Sequence, residues 1–259
     1  MILDKLADAT RRRVEALKAQ TPPEELKSRA LAMDRGAFPF EAALRAPDIA
    51  VICEVKRASP SKGVIAGEFP YLDIARDYEK AGADAVSVLT EPDYFLGHPD
   101  YLSGIRAQVG LPLLRKDFIL DDCQLYESKL IGADAVLLIC ALLDTETLKS
   151  YIGICDSLGL SALVEAHDAP EIRSALAAGA RIVGVNNRDL RTFQVDLGNS
   201  VRLRPLVPGD ILFVAESGIK TAEDVGLLRR AGVNAVLIGE TLMRSGDKKA
   251  ALRELRGMA

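Results

Sequence analysis

The sequence predicts an α/β fold, a (β/α)8 TIM barrel carrying an N-terminal helical extension, and three observations support it. The first is an internal repeat: Ala81-Gly82-Ala83-Asp84-Ala85-Val86, Ile131-Gly132-Ala133-Asp134-Ala135-Val136, Ala178-Gly179-Ala180-Arg181-Ile182-Val183 and Ala231-Gly232-Val233-Asn234-Ala235-Val236. Its glycines lie 50, 47 and 53 residues apart. Each stands where a helical pattern ends, the position at which glycine caps a helix. The second is the apolar run after each glycine, such as Val136-Leu137-Leu138-Ile139 or Val236-Leu237-Ile238. These runs lack strand-style alternation, as parallel strands buried on both faces do. The third is a set of four further strand signals, at residues 50–56, 112–116, 161–165 and 211–216, each followed by a helical stretch. Two βα units in every repeat of about 50 residues suit a barrel of roughly 250 residues. A doubly wound open sheet would normally show a Gly-x-Gly-x-x-Gly turn after a strand, and the chain has none.

Residues 1–47 are expected to form the extension and residues 48–259 the barrel, one catalytic domain. In the extension, Leu3, Leu6, Val14 and Leu17 recur near helical spacing over residues 2–19. Thr21-Pro22-Pro23 ends that helix, because proline disfavours its continuation. A second helical stretch covers residues 24–33, and Phe38 and Phe40 beyond it are expected to dock on the barrel. In the barrel, Asp144 opens a helix that places Leu148, Tyr151, Ile152 and Cys155 on one face. Asp168 opens another with Pro170 just inside, and Thr221 with Asp224 three residues on reads as a capping box.

Composition narrows the function. The chain is 49% hydrophobic and 27% charged with a net charge of −4, an ordinary soluble balance that argues against a nucleic-acid partner. Arg11-Arg12-Arg13 is flanked by Asp8 and Glu15 and reads as a solvated helix face. Charges at Asp4, Lys5 and Asp8 occupy the place of a signal peptide's apolar stretch. The longest apolar run, 135–143, has nine residues against the roughly 20 that cross a bilayer. A cytoplasmic protein without a membrane partner is expected. Cys53, Cys123, Cys140 and Cys155 form no Cys-x-x-Cys pair and read as small buried apolar residues in a reducing compartment. His98 and His167 are the chain's two histidines, too few for a histidine cage. Glu165-Ala166-His167 is a weak ligand pair, so neither metal nor cofactor is expected.

Barrel chemistry sits at the C-terminal ends of the strands. The odd strands end in Glu54 and Lys56, Lys116 and Asp117, Glu165, and Glu216 with Ser217. The even ones end in Thr90 and Glu91, Cys140, Asn186 and Asn187, and Gly239 with Glu240. Residues i and i+2 of a strand share a face, so Glu54 and Lys56 leave the sheet side by side. Several ionisable side chains on one rim are costly unless they pair, which favours a catalytic cluster over solvated strand ends. Opposite charges hold each other ionised, and two facing lysines are expected to lower the pKa of one toward a useful acid. With no histidine on this rim, proton transfer is assigned to lysine and glutamate.

Ser217-Gly218-Ile219 and Gly239-Glu240-Thr241 place glycines after the last two strands. A short helical piece from Glu240 would turn backbone N–H groups toward an anion, as at the phosphate sites of many barrels. Two ordinary βα turns would also use glycine there. Ser59 and Arg188 are expected to contribute from neighbouring loops, and the Ser59-Pro60-Ser61-Lys62-Gly63 stretch reads as a mobile flap over an anionic substrate. Phe95 in the loop after the second strand and Phe118 beyond Lys116 suit a planar apolar group, although loop aromatics also anchor on cores.

Glu54-Val55-Lys56, Ser59-Pro60-Ser61-Lys62-Gly63, Leu114-Arg115-Lys116-Asp117-Phe118-Ile119, Leu163-Val164-Glu165, Gly184-Val185-Asn186-Asn187-Arg188-Asp189-Leu190, Ala215-Glu216-Ser217-Gly218-Ile219 and Leu237-Ile238-Gly239-Glu240 occur in that order. Together they resemble the motifs of the indole-3-glycerol-phosphate synthases of tryptophan biosynthesis, over essentially the whole chain and including the extension. The resemblance implies ring closure of 1-(2-carboxyphenylamino)-1-deoxyribulose 5-phosphate with loss of carbon dioxide and water. It implies Lys116 as general acid and Lys56 as partner of the substrate carboxylate or phosphate and an acid in dehydration. Glu165 is implied as base or stabiliser of the iminium, and Glu54 as the orienter of both lysines. Asn186 and Glu216 would hold the sugar hydroxyls, and Phe95, Phe118 and Leu137 would enclose the anthranilate ring. The substrate is a phosphorylated small molecule, and contacts with other tryptophan-pathway enzymes are encoded in none of these motifs.

Two other readings fit parts of the pattern. A strand-end lysine in a barrel can form a Schiff base, as in aldolase-type sugar-phosphate enzymes, which borohydride trapping would reveal. A non-catalytic phosphate-ligand sensor would share the anion site but lack a complete acid–base set.

Overall fold

The computed structural model of the chain describes residues 2–189 and 192–258. Three helices come first, α1 (Ile2–Gln20), α2 (Pro23–Leu31) and α3 (Pro39–Leu44). Strand β1 (Ala50–Val55) follows, then a hairpin of β2 (Ala58–Ser59) and β3 (Gly63–Val64), then α4 (Tyr71–Ala81). From there strand and helix alternate: β4 (Ala85–Leu89), α5 (Pro99–Arg106), β5 (Leu113–Lys116), α6 (Cys123–Leu130), β6 (Ala135–Ile139) and α7 (Thr145–Leu158). Then come β7 (Ser161–Ala166), α8 (Ala169–Ala177), β8 (Ile182–Asn186), α9 (Gly198–Leu203), β9 (Leu212–Glu216) and α10 (Ala222–Arg230). Strand β10 (Ala235–Ile238), the short α11 (Glu240–Arg244) and α12 (Lys248–Leu255) complete the chain.

Strands β1, β4, β5, β6, β7, β8, β9 and β10 pair in that order, all parallel, and β10 returns to β1 to close the barrel. The predicted TIM barrel is therefore the observed fold, with strand ends displaced by a residue or so; Lys56, for instance, lies just past β1. The predicted caps are present as well. Asp144 and Asp168 accept from the N–H groups of Thr147 and Glu171, and Thr221 and Asp224 form both bonds of a capping box. The repeat glycines Gly82, Gly132, Gly179 and Gly232 have φ between 80° and 90°, the left-handed turn that leads each helix into the next strand.

Alternation divides each strand between two cores. On β1, Ala50 and Ile52 join the barrel interior with Leu114, Leu163, Ile182 and Leu212, whereas Val51, Cys53 and Val55 join the layer between sheet and helices. Phe40 is fully buried in the interior cluster with Leu44, so α3 stoppers the end of the barrel where the strands begin. Phe38 docks differently from Phe40. Its backbone is left-handed (φ 54°) and its ring lies under the guanidinium groups of Arg181 and Arg35, 4.8 and 5.6 Å away. Such cation–π contacts contribute roughly 0.5–1 kcal/mol each at exposed sites. At the other end of the extension, Ile2 and Leu6 line the cavity at the barrel mouth. Arg13 and Lys18 bind Asp117 and Asp121 just beyond β5.

Candidate active site

The C-terminal ends of the strands surround one cavity of about 1190 Å³. The alternation that turns Ile52, Leu114, Leu163 and Val214 inward continues one step further along each strand. It brings Glu54, Lys116, Glu165 and Glu216 onto the inner face, and Lys56 follows Glu54 two residues on. All fifteen residues singled out in the sequence line this cavity: Glu54, Lys56, Ser59, Phe95, Lys116, Phe118, Leu137, Glu165, Asn186, Arg188, Glu216, Ser217, Gly218, Gly239 and Glu240. Leu190, the last residue of the motif after the sixth strand, lies outside the described residues.

Charges in the cavity are paired. Lys56 Nζ binds Glu54, and Lys116 Nζ lies 3.1 Å from Glu216 Oε2 and 3.3 Å from Glu165 Oε2. Asn186 Nδ2 donates to the same Glu165 oxygen at 3.3 Å, while Asn186 Oδ1 accepts from the Arg188 N–H. Glu54, Glu165 and Glu216 are all 3% exposed or less, so each depends on its partner rather than on water. Burial alone would pull Lys116 down, but Glu216, Glu165 and Glu54 together raise it above its ordinary value. The expectation that two facing lysines lower one of their pKa values is therefore corrected: the carboxylates, not the other lysine, are the neighbours of Lys116, and they keep it a loaded ammonium. Burial likewise would lift Glu165, but Lys116 and His167, with hydrogen bonds from Lys116 and Asn186, hold it below the usual carboxylate value. Three carboxylates against two ammoniums leave one negative charge in excess. Glu216 carries that excess: burial, with Glu165 and Glu54 nearby, outweighs Lys116 and raises it to about 7.

One histidine stands directly behind this rim, outside the cavity lining. His167, one residue past β7, folds back so that Nε2 lies 3.7 Å from Glu165 Oε1 and Nδ1 lies 3.2 Å from Glu171 Oε2. Its position past the strand end hid it from an argument built on strand tips.

On the opposite side, the turns after β9 and β10 approach each other. Ser217 takes a left-handed backbone (φ 68°), and Gly218 beside it (φ 84°) has no room for a Cβ because Val195 packs there. Thr241 Oγ1 joins the two turns by donating to the Ile219 carbonyl at 2.9 Å, and Asn187 ties the first of them to α9: its Nδ2 donates to the Ser217 carbonyl, and its Oδ1 accepts from the N–H and hydroxyl of Ser200. Glu240 stands at the start of α11, where a bare carboxylate would repel a phosphate. Burial would raise it, but Lys62 at 3.5 Å and Arg244 at 3.2 Å neutralise it and hold it below its ordinary value. Lys62 belongs to the β2–β3 hairpin, so the stretch after β1 is a folded hairpin reaching across the mouth. The aromatic rings of Phe95 and Phe118 face each other at 6.2 Å, tilted by 43°, with Leu137 on the wall below. Further lining residues that the sequence left unmarked are Ile2 and Leu6 from α1, Arg244, and Phe193 and Val195 from the loop after β8. Their place depends on how distant elements fold over the mouth, and no local pattern marks it.

Comparison with known proteins adds the identity of the group. The family model for indole-3-glycerol phosphate synthase matches residues 3–255. An indole-3-glycerol phosphate synthase of Ruminiclostridium cellulolyticum is 60% identical, covering 100% of both chains. Another, from Endomicrobium trichonymphae, is 55% identical, covering 99% of this chain and all of the relative. Among solved structures, 3-hexulose-6-phosphate synthase of Salmonella typhimurium superposes with a TM-score of 0.67 over 81% of this chain and 98% of its own, at 14% identity. That likeness concerns the fold. Matched along almost its whole length by the family model and by relatives of equal length, the chain belongs to the indole-3-glycerol phosphate synthase family.

Proposed function

We propose that this cavity carries out the family's reaction with Lys116 as its general acid, closing the indole ring of 1-(2-carboxyphenylamino)-1-deoxyribulose 5-phosphate. The observation that carries the assignment is the Lys116 ammonium held between Glu165 and Glu216 inside the cavity. In this reading the ring carbon bearing the carboxylate attacks the ketone carbon, and the ketone oxygen takes the Lys116 proton. The amine nitrogen carries the resulting iminium charge beside Glu165. Loss of carbon dioxide returns its electron pair to the ring, and the new hydroxyl then leaves as water with a proton from lysine, Lys56 included. Glu165 accepts the carbon-bound proton that completes the indole. A fixed anion beside a developing cation and a charged acid beside a developing alkoxide are both forms of preorganised electrostatic stabilisation.

Other residues bind. Glu54 holds Lys56 toward the substrate carboxylate, Asn186 and Glu216 take the sugar hydroxyls, and Phe95, Phe118 and Leu137 enclose the anthranilate ring. Ser59, Arg188, Ser217, Gly218 and Gly239 receive the phosphate, with Lys62 and Arg244 screening Glu240. A Schiff-base role for Lys116 fits less well, since an amine nucleophile needs a depressed pKa and Lys116 is raised. A sensor would have no use for the paired acid and base. Among the described residues no helix is long and apolar enough to cross a membrane, and we assign the reaction to the cytoplasm with a small phosphorylated substrate as its partner. The test is turnover of the carboxyphenylamino substrate followed by indole absorbance, without added metal or cofactor. Indoleglycerol phosphate is the expected product; substrate binding without turnover would overturn the reading.

A further inference from the structure

His167 sits behind the cavity wall and is absent from its lining, yet it is the neighbour of the one Glu165 oxygen that Lys116 and Asn186 leave untouched. Lys116 and Asn186 both engage Glu165 Oε2; His167 Nε2 faces Oε1 at 3.7 Å. Nε2 is buried and makes no hydrogen bond. The far side of the ring is fixed by α8: Glu171 Oε2 accepts the His167 backbone N–H at 2.7 Å and lies 3.2 Å from Nδ1. Glu171 is itself held, its backbone N–H donating to Asp168 Oδ1. Asn199 on α9 donates to the His167 carbonyl at 3.1 Å. The imidazole therefore has a carboxylate at each nitrogen. A neutral ring carries one N–H and would turn a lone pair toward one of those carboxylates, whereas an imidazolium turns an N–H toward each.

We propose that His167 is a positioning residue, an imidazolium clamped between Glu171 and Glu165 that keeps Glu165 anionic and oriented while Lys116 surrenders its proton. The proposal rests on the role assigned above to Glu165. Lys116 loses its charge when it acts as an acid, and at that moment Glu165 would lose its principal counter-charge. His167 supplies a second one that is not consumed by the reaction. The carboxylates Glu165, Glu171 and Glu216 are the charged groups acting on the ring, and they outweigh the effect of burial to raise its pKa. As pH rises through that value the ring becomes neutral and its hold on Glu165 weakens.

The chain has two histidines, and the other, His98, caps α5 by accepting the Asp100 N–H. His98→Asn preserves a cap and leaves one imidazole to observe. Nitrogen NMR of that chain, without substrate, is expected to show both ring nitrogens protonated at neutral pH, with a titration midpoint that falls in Glu165→Gln and in Glu171→Gln. A ring carrying a single N–H at neutral pH, or a midpoint indifferent to Glu165→Gln, overturns the proposal whatever the enzyme's activity. In kinetics, loss of this charge in His167→Gln is expected to lower kcat about tenfold, with KM changed less than about threefold. It should also abolish an alkaline fall in kcat. An unchanged pH profile in a folded His167→Gln chain overturns it too, and if that variant does not fold, the NMR comparison decides.

Discussion

Gly239 and Glu54 meet across neighbouring strands with no space between them: a Cβ on Gly239 would fall on Glu54 Oε2 and 3.0 Å from Lys56 Nζ. The glycine after the last strand thus serves the ion pair on the first strand as well as the anion it was expected to face. Gly239→Ala should displace the Glu54–Lys56 pair from its buried geometry. Misplacing a catalytic group by about 1 Å can cost on the order of a hundredfold in rate, so kcat is expected to fall at least tenfold. A role confined to phosphate binding would instead raise KM with kcat kept. Steady-state kinetics of Gly239→Ala separate the two.

The general acid can be tested by removing the amine and keeping the stem. Lys116→Met should leave substrate binding largely intact while kcat collapses, because the lost interaction is made in the transition state. The loss should exceed the roughly hundredfold lower bound usual for a general acid. Isothermal titration of a substrate analogue supplies the binding half of the comparison. A kcat within about tenfold of the parent would remove Lys116 from that role.

These two cases mark how far the sequence reaches. The barrel is legible because its signals are local: a glycine ending each helix, an unbroken apolar strand after it, and ionisable residues where apolar ones should end the strand. Glu54, Lys116, Glu165 and Glu216 were readable for that reason. Their pairing was not, because which carboxylate meets which ammonium depends on strand register around the whole circle, where Asn186 lies opposite Glu216 and Leu237 opposite Glu216 on the other side. The two lysines therefore look alike in sequence but differ in the fold, Lys56 with one carboxylate and Lys116 with two. His167 was missed for a related reason. Past the strand end the period-two rule lapses, and the helix α8 that aims the ring is placed by tertiary packing.

Glu216 should make stability depend on pH in an unusual direction for a carboxylate. Its folded pKa, about 7, stands above the ordinary 4.5, so the folded chain holds this proton more tightly than the unfolded chain does. Its contribution is full below 4.5 and is lost as pH rises from there to about 7. Glu216→Gln has no such proton to lose. The Tm difference between variant and parent should therefore move in the variant's favour across that window and level off above it. A difference that stays constant with pH would show that Glu216 does not titrate there.

Asp117 faces the other way from Lys116 and joins the extension to the barrel. Its carboxylate accepts from Arg13 at 3.0 and 3.2 Å, from Arg115 at 3.2 Å, from Thr90 Oγ1 at 2.7 Å and from the Phe118 N–H at 2.8 Å. Both Asp117 and Arg115 are 2% exposed. Removing one partner of a buried pair leaves the other charge without compensation, so Asp117→Ala is expected to destabilise the fold by about 3–5 kcal/mol. Arg115 keeps Glu127 at 2.7 Å, which places the effect at the lower end of that range. Arg13, whose side chain is 24% exposed, should cost less on its own, about 1 kcal/mol. Since the two residues share bonds, Arg13→Ala and Asp117→Ala together should cost less than their separate losses added, by more than about 0.5 kcal/mol. Burial would raise Asp117, but Arg115 and Arg13 hold it below its ordinary 3.8. This stabilisation is therefore complete above 3.8 and disappears as pH falls through the depressed folded value. Urea unfolding of the parent and of Asp117→Asn at successive acid pH values should converge there, and parallel curves would assign the anchor to packing rather than charge.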